Sequence, residues 1–170
     1  MALKTPIINI MTKAAYKAGN ILIKDFREIE NLQVSKKGIG DFVTSADLNS
    51  EKTIIKILEK AYPEIKIISE EINPEINLNN HEKKWIIDPL DGTLNFLHGL
   101  PHFAISIALM VKEEIISGII YDPIKDELFW AERGVGAFLN NKRIRVSARN
   151  KLKDALVSTG IPWKGMESSH

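Results

Sequence analysis

The apolar residues of this chain change their period along its length, and that change limits the fold more than any other feature. Ile7, Ile10, Met11, Ala14, Ala18, Ile21, Leu22 and Phe26 recur at helical spacing. They follow Thr5-Pro6, which spells an N-cap and a proline at the first helical position. This helix is expected to end near Glu30. From residue 103 to 147 strand-like runs alternate with turns at Lys112-Glu113-Glu114, Asp122-Pro123, Arg133-Gly134 and Asn140-Asn141, the spacing of an antiparallel meander. Helices first and hairpins later predict an α+β fold, a mostly antiparallel sheet covered by two long helices.

Between these regions, Thr44 and Ser45 offer a second N-cap, so the next helix is expected over about residues 46–61, stopping before Pro63. Residues 65–69 and 85–87 read as short buried strands, and the polar stretch 72–84 as a surface loop. A weak boundary falls near residues 147–155. It divides an N-terminal α+β domain, residues 1–150, from residues 151–170, the expected truncated start of a C-terminal α/β domain whose first strand would be the apolar run 155–163.

Composition removes several functions. The chain has 170 residues and no cysteine, which excludes disulfide scaffolds, thiolate metal sites and a cysteine nucleophile. The 23 basic and 22 acidic residues leave a formal net charge of +1, no strong field for nucleic acid or a membrane. Apolar runs such as 107–111 fall far short of the roughly 20 residues that span a bilayer. The N-terminus lacks the layout of a signal peptide, so a cytoplasmic protein is expected.

The chemistry is concentrated in 85-WIIDPLDGTLNFLHG-99. Pro89 cannot donate to a ladder and is expected to help end the strand at Asp88. Asp88, the Leu90 carbonyl and Asp91 can then converge. Gly92 and Thr93 open a short helix, expected over residues 93–98, whose first N–H groups lack intrahelical partners and can cradle a phosphate. Two adjacent carboxylates repel unless a cation lies between them, and oxygen-only donors suit Mg²⁺. Asp-Pro-x-Asp-Gly is also a common turn spelling with solvated or capping carboxylates. Glu70-Glu71, at another strand end, can add a third carboxylate to the same edge or be a solvated pair. Asp47, three residues after Thr44, fits a capping box. Lys36 and Lys37 can steer an anionic substrate or simply solubilise the chain. His98 and His102 flank a turn and are not expected to bind metal.

The motif 85-WIIDPLDGTLNFLHGLPHFAISIAL-109 resembles the signature of the inositol monophosphatase family. Residues 41-DFVTSAD-47, 68-ISEE-71 and 118-GIIYDPIKDELFWAERGVGAFLNNKRIRVS-147 resemble its other blocks in order and spacing. Bacterial members of the extragenic-suppressor type are similar also at 155-ALVSTGIPWK-164. The resemblance implies the layered α/β sandwich of the sugar-phosphatase superfamily, a homodimer, and a Mg²⁺-dependent phosphomonoesterase using two or three ions and inhibited by Li⁺. Its substrate would be inositol 1-phosphate or a similar small sugar phosphate. It further implies that Glu70, Asp88 and the Leu90 carbonyl hold one Mg²⁺, that Asp88 and Asp91 share a second, and that the Gly92 and Thr93 amides bind phosphate. Thr93, hydrogen-bonded to Asp47, would join Glu70 in activating water.

One block of the family pattern has no counterpart. Its later Trp-Asp-x-Ala-Gly motif supplies a further metal ligand, yet Trp85, Trp130 and Trp163 precede Ile86, Ala131 and Lys164. A second expectation therefore stands beside hydrolysis: a catalytically impaired, truncated family member with a binding or regulatory role in transcription or ribosomal RNA processing.

Overall fold

The computed structural model describes residues 4–32, 39–69 and 82–158, with the side chains of residues 30–32 and 39–44 outside the description. Helix α1, Pro6–Leu32, starts where the Thr-Pro pair predicts. The Thr5 hydroxyl accepts from the Ile8 amide at 3.4 Å and donates to Glu132 Oε2 at 2.6 Å. The helix start is thus tied to the sheet. Its buried stripe centres on Ile8, Met11, Ala15, Ala18 and Leu22, with Ile7 and Ile10 at its margin.

Helix α2, Ile39–Ala61, begins seven residues before the expected start at residue 46. Thr44, Ser45 and Asp47 are therefore interior residues rather than caps. Burial of Ala46, Ser50, Ile54 and Leu58 on one stripe outweighs the local preference of Ser and Thr for helix ends.

Among the described residues, seven strands form one sheet in the order of the sequence. Strand β1, Lys66–Ser69, runs parallel to β2, Lys83–Asp91. After the short helix α3, Thr93–Leu97, come β3 (Ala104–Val111), β4 (Glu114–Asp122), β5 (Glu127–Glu132), β6 (Gly136–Leu139) and β7 (Lys142–Ile144). Each is antiparallel to its predecessor. The positive φ angles of Lys112, Glu113, Gly134 and Asn140 mark turns where the sequence expects them.

Trp85, Ile87, Ile105, Ile107, Ile119, Tyr121 and Trp130 share the face covered by α1 and α2. On the other face Ile115, Ile120, Phe129 and Ile144 are exposed. Residues 152–154 form a single 3-10 turn, and the first four residues of the expected 155–163 strand have no regular structure. No neighbouring strand among the described residues pairs with them, and Leu156 and Val157 are 94% and 73% exposed. Residues 159–163 lie outside the described residues.

Candidate active site

Strand β2 does not stop at Asp88; it continues through Pro89 to Asp91. Asp88 pairs with Ser106 and Asp91 with Ala104, so three steps on β2 oppose two on β3. This bulge accommodates Pro89, which has no N–H for the ladder. It also changes where the carboxylates go. In a regular strand residues three apart point to opposite faces; with one extra residue inserted, Asp88 and Asp91 both stand level with residues of the face away from the helices.

The segment is braced locally. The Leu90 amide donates to Asp88 Oδ1 at 3.2 Å, and Thr93 Oγ1 donates to the Leu90 carbonyl at 2.9 Å. Leu90 is buried, while Asp91 and Thr93 are exposed. Gly92 takes φ 91° and ψ 33° at the N-cap of α3. A Cβ there would come within 3.0 Å of the His102 carbonyl and 3.2 Å of Phe103 Cα, so glycine serves both the backbone angle and the close approach. Phe96 anchors α3 beneath this turn, its ring 5.5 Å from that of Phe26 and 4.9 Å from that of Phe103.

Asp91 and Gly92 border a cavity of about 370 Å³ that also meets Asn95, His102, Asp122 and Lys125. His102 contributes its carbonyl to Asn95 Nδ2 at 2.8 Å. Opposite, Asp122 binds Lys125 Nζ at 2.8 Å and accepts from the Ile124 and Lys125 amides at 3.0 Å. Burial alone would raise the Asp122 carboxyl, but these bonds and the Lys125 charge hold it below the ordinary carboxylate range.

Asp47 lies on the buried stripe of α2, 7% exposed, and the neighbouring Ser50 donates to the Pro89 carbonyl at 2.8 Å. The helix therefore meets the site strand at the bulge itself. Glu70, Glu71, Lys36 and Lys37 lie outside the described residues. Strand β1 ends at Ser69, opposite Ile87 and so level with the residue before Asp88. Among the described residues no three His, Asp or Glu side chains are close enough to hold a metal ion. Ser50 and Glu51 were not singled out by the sequence; their positions on a stripe with Asp47, Ile54 and Leu58 are the signal that identifies them.

A meander sheet backed on one face by two helices, with oxygen donors at the end of one strand, has the architecture of the layered sugar-phosphatase sandwich. The chain belongs to the inositol monophosphatase family, whose pattern matches residues 3–169. It is 49% identical over 162 residues to an inositol-1-monophosphatase of Rhizobium meliloti, covering 95% of this chain and 60% of that protein. It is 45% identical over 159 residues to Nus factor SuhB of Haemophilus influenzae, covering 94% of this chain and 59% of that protein. Among solved structures it resembles the extragenic suppressor protein SuhB of Bartonella henselae, with a TM-score of 0.76 and 47% identity over 88% of this chain and 58% of that one. An inositol monophosphatase from Anabaena gives a TM-score of 0.71 at 35% identity, over 84% of this chain and 50% of that one. The chain thus spans about three-fifths of the length of the two sequence relatives.

Proposed function

We propose that the chain carries the metal- and phosphate-binding half of a Mg²⁺-dependent phosphomonoesterase acting on inositol 1-phosphate or a similar small sugar phosphate. The observation that carries this reading is the β2 bulge, which brings Asp88 and Asp91 to one face beside the Leu90 carbonyl and the left-handed Gly92. All donors are oxygens, and two carboxylates on one face favour a hard divalent cation between them. Asp88, Asp91, the Leu90 carbonyl and Glu70 would hold Mg²⁺, which when bound lowers the pKa of water and stabilises the leaving oxygen.

The other roles belong to the chain. The Gly92 and Thr93 amides receive the phosphate oxygens, and Gly92 keeps the space for that approach free of a side chain. Thr93, with Asp47 behind it on α2, and Glu70 orient the attacking water and take its proton. Li⁺ sensitivity, a homodimer and a cytoplasmic setting belong to the same reading. No described helix is long and apolar enough to cross a membrane.

Phosphate release from inositol 1-phosphate by the purified chain tests this. Expected is dependence on Mg²⁺, with a loss in Asp88→Asn beyond the ~10–100-fold typical of an outer ligand partner. Turnover that needs no metal, or that survives Asp88→Asn, overturns the proposal. The relatives named Nus factor favour a second reading, a binding role in transcription or ribosomal RNA processing without hydrolysis. Under it the chain binds Mg²⁺ but releases no phosphate.

A further inference from the structure

The buried stripe of α2 changes character along its length. Ile54 and Leu58 are apolar and fully buried, but toward the site the stripe becomes Glu51 and Ser50, both at 0% exposure, and then Asp47. Ser50 is accounted for by its bond to Pro89. Glu51 is not: neither carboxylate oxygen has a hydrogen-bond partner among the described residues. A buried carboxylate left that way costs several kcal/mol, so its retention requires a compensating set of donors.

Two buried donors meet that need, since Ser69 Oγ and Trp85 Nε1 likewise have no partner among the described residues. Their placement follows from the register, with Ile67 opposite Trp85 and Ser69 opposite Ile87. The Trp85 ring packs 6.0 Å from that of Tyr62, the residue just after α2, which puts Trp85 on the helix side. Directly opposite residues share a face, so Ser69 is on that side too. Ser69 is level with Ile87, and Ser50, next to Glu51, is level with Pro89. Along the strand Ser69 is thus two residues, roughly 7 Å, and Trp85 four residues, roughly 13 Å, from the level of Ser50, spans for a chain of bridging waters rather than for direct bonds. One O–H, one N–H and two carboxylate oxygens are a matched set for buried water, which makes two to four bonds.

We infer that Glu51, Ser69 and Trp85 form one buried, water-bridged hydrogen-bond network, and that Glu51 is thereby a positioning residue for the cation centre at Asp88 and Asp91. The second half rests on the metal reading above. Ile87 and Pro89, the residues level with the network, flank Asp88 in the chain. The network therefore fixes the bulge from the helix side while the carboxylates emerge on the other.

The test uses the whole chain in two measurements. In the metal-free protein, the effects of Glu51→Gln and Ser69→Ala on the unfolding midpoint should be non-additive; additive effects overturn the network. With Mg²⁺ alone as the probe, Glu51→Leu should unfold earlier than wild type without metal, because the buried Ser69 and Trp85 donors lose their acceptor. It should also bind Mg²⁺ about 10-fold more weakly, read from the Mg²⁺-dependent rise in midpoint. Unchanged Mg²⁺ affinity in Glu51→Leu, or in Glu51→Gln should the leucine variant not fold, overturns the positioning role. A wild-type chain that does not respond to Mg²⁺ overturns the metal reading and the positioning role with it, while the double-mutant result still decides the network.

Discussion

The hydroxyl of Ser50 donates a 2.8 Å hydrogen bond to the carbonyl of Pro89, 39 residues further along the chain. This bond ties helix α2 to the residue between Asp88 and Leu90, inside the bulge. Ser50→Ala leaves a buried carbonyl without its donor, which costs about 1–3 kcal/mol. Urea unfolding should show that loss. An unchanged midpoint would mean that the bulge is held by its own local bonds.

Gly92 combines a left-handed backbone with contacts that a side chain would violate. For Gly92→Ala the left-handed conformation costs roughly 1–2 kcal/mol, and the 3.0 Å approach to the His102 carbonyl adds to it. A lower thermal midpoint together with weaker binding of inorganic phosphate is expected. A variant with wild-type phosphate affinity would remove Gly92 from the proposed cradle.

Gly19 lies inside α1, where alanine would ordinarily gain about 1 kcal/mol in helix propensity. Its Cβ, however, would stand 2.7 Å from Tyr121 Cε1 and 3.1 Å from Pro123 Cβ. The Tyr121 ring cannot easily yield, because it meets Tyr16 edge-on at 4.7 Å and its hydroxyl donates to Asp126 at 3.0 Å. Overpacking typically costs about 1–3 kcal/mol, so Gly19→Ala should destabilise. In a Tyr121→Ala background the same change should become neutral or favourable, and calorimetry of the four proteins decides it.

Asp122 predicts a pH dependence. Its folded-state pKa lies below the ordinary value because of the Lys125 and Ile124 bonds, so the unfolded chain takes up its proton first as pH falls. The stabilisation is complete above the unfolded pKa, about 3.9, and disappears as pH drops through the lower folded value. The difference in unfolding midpoint between wild type and Asp122→Asn should therefore be constant near neutrality and shrink below about pH 4. A difference that stays constant into strong acid would show that the carboxylate charge is not what holds this turn.

Much of this architecture is legible in the sequence because it rests on period. The helical spacing from Ile7 to Phe26 and the alternating runs between evenly placed turns are local signals of a buried stripe and a buried face. The start of α2 is not legible, since Thr44 and Ser45 are good caps by local chemistry and only packing of the following stripe makes them interior. Asp88 and Asp91 can be selected by residue type, but their common face depends on the bulge, which involves the partner strand. Pro89 signals an interruption without revealing that pairing resumes at Asp91. Glu51 is obscured for a different reason: by residue type, between Ser50 and Lys52, it looks solvated, and only its spacing to Asp47, Ile54 and Leu58 places it on the buried stripe.

Among the described residues each strand of the sheet pairs with the strands next to it in sequence, and these ladders close by Ile144. Folding of these described strands can therefore advance from each strand to the next as the polypeptide leaves the ribosome. Slow closure of distant loops, which delays proteins built on non-local pairing, falls here mainly on the α1 contacts with β3, β4 and β5. The bulge that aligns Asp88 with Asp91 is set by the β2–β3 pairing, so its register can form before the later strands have been synthesised.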